Sequence, residues 1–304
     1  MSIRTFLRRF LIVLVGLVGI GLGMAGGVWW WLTPSCVREP GVVYGMRRGQ
    51  ALTMEVVMPS SPNGHGVLMM MSGSWKSKPD AFRTFMAAPL LRRGYTVFAV
   101  SHIPQPTVTI MEVVEDAHRA ARFVRHHAEA YGIDPDHLGV TGASSGGHLS
   151  LMLATGAGKG PLDETDPVDR ESSAVQAVAI FFPVTDLLNL GSSTENPGDG
   201  GPPIHYLKGF GPEAKDMAVW KKIGRAVSPI YHIDEALPPV LILQGAADTL
   251  TPPEQSEWFR DRAREKGKHV ELIILPGKGH GWYTFVWDMR RFADWFDRHL
   301  RGAG

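Results

Sequence analysis

Residues 142–147 read Gly-Ala-Ser-Ser-Gly-Gly, between a short segment rich in strand formers and an apolar segment that favours a helix. A nucleophilic serine stands on a tight, strained turn of this kind, which requires small residues two positions before and after it. Gly142 and Gly146 meet this requirement for Ser144, whereas Ser145 would have an alanine on one side. The motif predicts Ser144 as a nucleophile, and the alternative is an ordinary glycine-rich turn.

Two loops further along the chain carry the groups that a nucleophilic serine needs. A serine hydroxyl requires a base to take its proton and an acid to orient that base. The buried segment 239–244 leads into a loop with Asp248, and the segment 270–275 leads into a glycine-rich loop with His280. Open α/β sheets place their sites at such strand ends. The order Ser, Asp, His favours Asp248 as the acid over Asp186, which also follows a strand.

Strand-like and helix-like segments alternate along most of the chain, after an opening hairpin. This alternation predicts an α/β fold with a mostly parallel sheet and helices on both faces. Strands are predicted over 42–47, 52–58, 66–71, 95–101, 137–141, 175–182, 239–244 and 270–275, and helices over 79–93, 108–131, 148–154, 253–266 and 284–300.

Residues 186–228 interrupt this alternation with a stretch rich in Gly, Pro, Ser and Asn. Irregular segments of this length inside a compact domain are typically lids or binding loops. Tyr206, Phe210 and Trp220 supply enough apolar surface for the segment to pack. We therefore predict a lid-like insertion, and the alternative is a disordered surface insertion.

The N-terminus has the pattern of a membrane anchor. Residues 11–32 carry no charge and are long enough to cross a hydrocarbon core as a helix. Arginines 4, 8 and 9 precede them, which places the N-terminus in the cytoplasm and the rest of the chain across the membrane. The alternative is a signal peptide whose cleavage gives a secreted protein. The predicted division is a basic cytoplasmic segment at 1–10, a transmembrane anchor at 11–32, a linker at 33–41 and an α/β domain at 42–304.

Composition excludes several classes of protein. With 44% hydrophobic and 20% charged residues among 304, the chain is neither disordered nor fibrous. A formal net charge of +1 gives no reason to expect a nucleic-acid partner. Cys36 is the one cysteine, so an intrachain disulfide and a cysteine-rich metal site are excluded. No metal or organic cofactor is predicted.

Three signatures in chain order resemble those of α/β-hydrolases in the esterase/lipase branch. They are Gly-Ala-Ser-Ser-Gly-Gly-His at 142–148, Gln-Gly-Ala-Ala-Asp-Thr-Leu-Thr-Pro-Pro at 244–253 and Gly-Lys-Gly-His-Gly-Trp at 277–282. The likeness covers residues 42–300 and is to the BD-FAE and acetyl-esterase type, which is also similar to prolyl-oligopeptidase catalytic domains. It implies a Ser144, Asp248 and His280 triad that hydrolyses carboxylic esters through an acyl-enzyme, and we expect the acyl group to be small or medium in size.

One loop departs from the pattern of these esterases. They usually carry His-Gly-Gly-Gly-Trp after the third strand, where this chain has Met-Ser-Gly-Ser-Trp at 71–75. This loop and the N–H of Ser145 would form the oxyanion hole, with Gly73 or Ser74 as the second donor. Serines at positions 72 and 74 resist a positive φ, so the sequence does not determine the shape of the loop.

The sequence therefore favours a membrane-anchored serine esterase whose partner is a small-molecule ester. Two alternatives stay open. One is a peptidase of the prolyl-oligopeptidase type, against which the absence of a propeller-sized preceding domain counts. The other is a hydrolase-like binding module with impaired catalysis.

Overall fold

One eight-stranded sheet organises residues 3–302, the part of the chain that the computed structural model describes. The strands lie in the order β1-β2-β4-β3-β5-β6-β7-β8, where β1 and β2 form a hairpin, β2 is antiparallel to β4, and the remaining pairs are parallel. This confirms the predicted mostly parallel α/β sheet. The strands are β1 (Cys36–Arg47), β2 (Gln50–Pro59), β3 (Gly66–Met70), β4 (Thr96–Val100), β5 (Leu138–Ala143), β6 (Ala177–Phe181), β7 (Val240–Gly245) and β8 (Val270–Leu275).

Helices cover both faces of the sheet, as the sequence predicts. The central strand β6 shows why, because its five residues are all buried and alternate between two apolar layers. A strand that is covered on both faces has a continuous apolar sequence of this kind. The helices are α1 (Ile3–Leu32), α2 (Ala88–Arg92), α3 (Ile110–His126), α4 (Ser145–Thr155), α5 (Pro167–Arg170), α6 (Met217–Ala226), α7 (Pro253–Glu265) and α8 (Phe285–Leu300).

The helix predicted over residues 79–93 is much shorter in the structure. A 3₁₀ turn occupies Thr84–Ala87, and α2 begins only at Ala88. Proline lacks an N–H and clashes with the preceding turn, so it is tolerated only in the first turn of a helix. Pro89 lies in that position, and residues 79–83 are irregular. The helical prediction was therefore wrong for residues 79–83, and residues 84–87 form a 3₁₀ helix and not an α-helix.

The first strand of the hairpin is longer than the sequence predicts, because β1 spans Cys36–Arg47 and the predicted strand spans 42–47. It begins at Cys36, and Cys36 pairs with Pro59, so residues 36–41 belong to the sheet and are not a linker. The misleading residues are Pro40 and Gly41, which lie at a register shift of this edge strand. An edge strand accommodates a proline or a bulge because its outer side needs no hydrogen-bond partner.

The N-terminal helix α1 has the length and composition of a membrane span. Its Leu14–Leu32 stretch has a mean hydropathy of 1.5, and none of that stretch is buried. A signal sequence has the same properties, so the helix fits both predicted alternatives. Its C-terminal end contacts the rest of the protein, since Trp31 stacks on Trp287 with ring centroids 4.4 Å apart and Arg92 donates to the carbonyl oxygen of Trp31.

The insertion at 186–228 is packed against the domain. It contains α6 and two short 3₁₀ turns, and Phe210 and Trp220 are fully buried with ring centroids 5.0 Å apart. The indole N–H of Trp220 donates to the Gly200 carbonyl oxygen at 3.0 Å. This packing favours an ordered cover over a disordered insertion, and the function of a lid stays a prediction.

Candidate active site

Ser144 lies on the tight turn between β5 and α4 with φ 56° and ψ −122°. This conformation costs a non-glycine residue about 1–3 kcal/mol, so the surrounding packing must enforce it. A Cβ added to Gly142 would overlap the Gly146 carbonyl group, and one added to Gly146 would lie 2.5 Å from the Met70 oxygen. The two glycines thus allow the close approach of strand and helix that the motif predicts.

The structure brings Ser144, His280 and Asp248 into one hydrogen-bonded chain. The His280 Nε2 atom lies 2.9 Å from Ser144 Oγ, and His280 Nδ1 lies 2.8 Å from Asp248 Oδ2. All three residues follow the carboxyl ends of parallel strands, because Ser144 comes after β5, Asp248 after β7 and His280 after β8. With a proton on Nδ1, the imidazole faces the serine hydroxyl with an unprotonated nitrogen, as a general base requires.

Several neighbouring groups hold the Asp248 carboxylate toward His280. Asp248 is 3% exposed, and its Oδ1 accepts the backbone N–H groups of Leu250 and Thr251 at 2.9 and 3.0 Å. The Thr251 hydroxyl donates to Asp248 Oδ2 at 3.0 Å and lies 3.1 Å from His280 Nδ1. Thr251 is not among the residues predicted from the sequence, although its position three residues after an aspartate is a local sign of a turn closed by the carboxylate.

Within residues 3–302, the Asp186 carboxylate makes no hydrogen bond to His280. Its Oδ1 accepts the backbone N–H groups of Leu188 and Asn189, and its Oδ2 accepts the Tyr231 hydroxyl at 2.9 Å. These bonds close the turn at the start of the insertion. The geometry therefore gives Asp186 a structural position and favours Asp248 as the orienting acid.

Of the two serines in the loop after β3, Ser74 adopts a positive φ and Ser72 does not. Ser74 and Trp75 have φ 54° and 52°. The N–H of Gly73 donates to the Lys76 carbonyl oxygen at 3.0 Å, whereas within residues 3–302 no acceptor pairs with the N–H of Ser74. Ser74 also lines the same small pocket as Ser144. This geometry favours Ser74 over Gly73 as the second oxyanion donor.

The side chain of Ser145 holds this loop in place, which sequence analysis did not foresee. Its Oγ accepts the Trp75 backbone N–H at 3.0 Å and lies 3.0 Å from Ser72 Oγ. The Ser72 hydroxyl lies in turn 2.9 Å from His102 Nε2. Burial lowers the pKa of His102, which keeps its imidazole neutral within this chain of hydroxyl groups. Residue 145 thus binds the neighbouring loop through its hydroxyl, whereas its N–H stays a predicted oxyanion donor.

A buried histidine fixes the indole of Trp75 from the other side. The Trp75 Nε1–H donates to His148 Nδ1 at 3.0 Å, and His148 Nε2 lies 2.7 Å from the Val227 carbonyl oxygen. Because Nδ1 accepts and Nε2 faces an acceptor, the imidazole must be neutral with its proton on Nε2. Burial lowers the pKa of His148 from 6.5 to about 4.

We expect this histidine to make the protein sensitive to acid. Between pH 6.5 and about 4 the unfolded chain binds a proton at His148 that the folded chain does not, so stability falls as the pH falls through this window. The loss is on the order of 3 kcal/mol. Urea unfolding of the full chain in detergent, followed by tryptophan fluorescence at pH 7 and pH 4.5, measures it. His148→Gln should reduce the difference between the two pH values, and His126→Gln, at an exposed position, should leave it as in the wild type. Equal pH dependence in all three proteins would contradict the assignment.

A small pocket opens at the Ser144 hydroxyl. It has about 30 Å³ open to the centre of a water molecule, enough for roughly two waters. Its walls come from both sides of the site. They are Ser74, Trp75, Ser144, Ser145, Val184, Leu187, Leu190, Ser193, Glu195, Pro203, Tyr206, Leu250, Thr251, Pro252 and Gln255. Residues of the 186–228 insertion thus form part of the wall of the pocket at Ser144.

Comparison with protein families and with characterised proteins gives consistent matches. The model of the BD-FAE family matches residues 54–262, more than half of the chain. Esterase LipQ of Mycobacterium tuberculosis is 27% identical over 218 residues, which are 70% of this chain and 49% of LipQ. The chain spans about half the length of the curated relatives it matches.

Two solved structures have the same fold over nearly their whole length. One is the native esterase Est2 of Thermogutta terrifontis, with a TM-score of 0.66 and 25% identity over 87% of this chain and 92% of that one. The other is a truncated carbohydrate esterase from gut microbiota, with a TM-score of 0.69 and 24% identity over 85% of this chain and 95% of that one. The predicted α/β-hydrolase fold is thereby confirmed.

Proposed function

Because the chain belongs to the BD-FAE family, we propose that it is a serine esterase that hydrolyses carboxylic esters through an acyl-enzyme. The observation that carries this proposal is the chain of hydrogen bonds from Ser144 through His280 to Asp248, with heavy-atom distances of 2.9 and 2.8 Å. A relative named esterase, LipQ, supports the same class of reaction.

The proposed reaction proceeds in two steps at Ser144. His280 takes the hydroxyl proton through Nε2 while Ser144 Oγ attacks the ester carbonyl, and the imidazolium then gives that proton to the leaving alcohol. Water attacks the acyl-enzyme with the same base, and the carboxylic acid leaves. Asp248 holds the tautomer of His280 and stabilises its positive charge in both steps.

The oxyanion of the tetrahedral intermediate needs hydrogen-bond donors that are already in place. The N–H of Ser145 begins α4, where the first N–H groups of a helix have no partner within that helix. The N–H of Ser74 is the second proposed donor. A donor of this type contributes about a hundredfold or more to the rate, so the bonds that fix the Ser74 loop also affect the rate.

The dimensions of the small pocket support a short acyl group. A space for roughly two water molecules fits an acetyl group and excludes a long acyl chain unless the walls move. The insertion at 186–228 supplies much of that wall, which supports its proposed function as a lid. We also propose that α1 anchors the catalytic domain at a membrane with the N-terminus in the cytoplasm.

A serine-reactive probe and two substrates test the proposed function. We expect the full chain to react once with a fluorophosphonate and to hydrolyse p-nitrophenyl acetate, without cleaving a chromogenic prolyl peptide. Cleavage of the peptide and not of the ester would favour a peptidase. No labelling together with no turnover of either substrate would favour a binding module and contradict the proposal.

A further inference from the structure

A second and much larger cavity lies beside the proposed active site. It has about 780 Å³ open to the centre of a water molecule, which is within the usual range of ligand pockets. Methionine and phenylalanine side chains form much of its wall, among them Met69, Met71, Met86, Phe285 and Met289. Methionine adapts its shape to apolar ligands, so this wall suits a flexible hydrocarbon chain.

The cavity borders the catalytic groups on the side of the base. Its lining includes Gly281, which follows His280, and Ala143, which precedes the nucleophile. Phe182 also lines it, and the Phe182 ring lies 4.6 Å from the His280 ring between centroids. The cavity therefore adjoins the catalytic base through Phe182 and Gly281.

The small pocket and the large cavity suit different parts of an ester, namely its acyl group and its alcohol. The small pocket is lined by Ser144 and by both proposed oxyanion donors, Ser74 and Ser145, so it borders the acyl carbon and its oxygen. The leaving oxygen must instead lie within hydrogen-bond reach of His280 Nε2, because that atom protonates it. The large cavity is lined by the neighbour of this base. This arrangement favours the small pocket for the acyl group, because only that pocket is lined by Ser144, Ser74 and Ser145, and it leaves the large cavity for the alcohol.

The end of helix α1 contacts the same part of the fold as the cavity wall. Trp31 stacks on Trp287 in the first turn of α8, and Phe285 and Met289 of that helix line the cavity. The exposed Lys78 and Ala81 line it as well. If α1 lies in a membrane, its end brings this side of the domain close to the bilayer surface, where long-chain esters concentrate.

We propose that the large cavity binds the aliphatic chain of the alcohol, so that the substrate is a short-acyl ester of a long-chain, lipid-like alcohol. This inference rests on the proposed esterase function and specifies its substrate class. The cavity buries the chain, while the short acyl group fills the small pocket at Ser144.

Two series of esters that share ethyl acetate test the proposal with the full chain in phosphatidylcholine vesicles. One series lengthens the alcohol (ethyl, butyl, octyl and dodecyl acetate), and the other lengthens the acid (ethyl butanoate, octanoate and dodecanoate). In the acetate series we expect kcat/KM to rise by up to about fourfold for each methylene that enters the cavity. In the ethyl series kcat/KM should fall with acyl length.

Matched variants separate the cavity from partitioning of the esters into the vesicles. Ala81→Trp and Met86→Trp place an indole in the cavity and should lower the preference for dodecyl over ethyl acetate by at least about tenfold. The preference is the ratio of two kcat/KM values measured on the same variant, so a general loss of activity cancels from it. Asp80→Trp adds the same side chain at an exposed neighbouring residue that does not line the cavity, and should keep the preference.

The outcomes distinguish this inference from the proposed function. A flat acetate series, a rising ethyl alkanoate series, or an unchanged preference in Ala81→Trp and Met86→Trp would overturn the assignment of the cavity while ethyl acetate is still hydrolysed. Absence of hydrolysis for every ester, with no fluorophosphonate labelling, would remove the esterase function and this inference with it.

Discussion

Ser144→Ala should lower kcat for p-nitrophenyl acetate by on the order of a millionfold, because removal of the nucleophile from a triad leaves only the oxyanion donors and binding. The variant should fold normally, since the Ser144 hydroxyl bonds only to His280 in the structure of residues 3–302. Intact-protein mass spectrometry should show one fluorophosphonate adduct on the wild type and none on the variant.

Ser145→Ala is the matched control, because Ser145 is the neighbouring serine of the same turn. It keeps its backbone N–H and loses only the hydroxyl that holds the Trp75 N–H and Ser72. Loss of such hydrogen bonds should lower kcat by roughly tenfold, and the adduct should persist. An adduct on Ser144→Ala, or its loss only in Ser145→Ala, would move the nucleophile to Ser145.

Asp248→Asn should lower kcat by about ten thousandfold, since an amide in place of the carboxylate favours the wrong tautomer of His280 and cannot stabilise the imidazolium. Asp186→Asn should change kcat by no more than a few-fold. An asparagine at 186 keeps the oxygen that accepts the N–H groups of Leu188 and Asn189. The measurement is steady-state kinetics on p-nitrophenyl acetate.

The thermal unfolding midpoint of each variant shows whether a loss of kcat comes from unfolding of the protein and not from the change at the site. Asp248 is almost fully buried and accepts several hydrogen bonds, so its variant should be compared at a temperature well below its unfolding midpoint. A large loss of kcat in Asp186→Asn, with activity retained in Asp248→Asn, would reverse the assignment of the acid.

The parts of the site that the sequence predicted share a local signal. Ser144 follows β5 directly, and Asp248 and His280 lie in the loops that follow β7 and β8. The alternation of strands and helices therefore places all three at one edge of the sheet. Gly142 and Gly146, two residues before and after Ser144, indicate a close approach of strand and helix that only small residues allow. Such features depend on neighbouring residues, which is why they are readable in one chain.

The remaining features depend on residues that are distant in sequence. The positive φ of Ser74 and Trp75 is held by Ser145 and Tyr206, and the Trp75 indole is held by His148. No periodicity or turn preference reports contacts of this kind. The large cavity likewise depends on the spacing between α8, β3 and the irregular segment before α2, which the sequence wrongly assigned to a helix.

The short connection between α1 and β1 limits how far the catalytic domain could move if α1 is retained in a membrane. Helix α1 ends at Leu32 and β1 begins at Cys36, which leaves residues 33–35 between them. Three residues reach roughly 10 Å when fully extended, which is much less than the width of the domain. The domain would therefore lack the tether length to turn over, and it would keep one fixed side toward the lipid throughout its catalytic cycle.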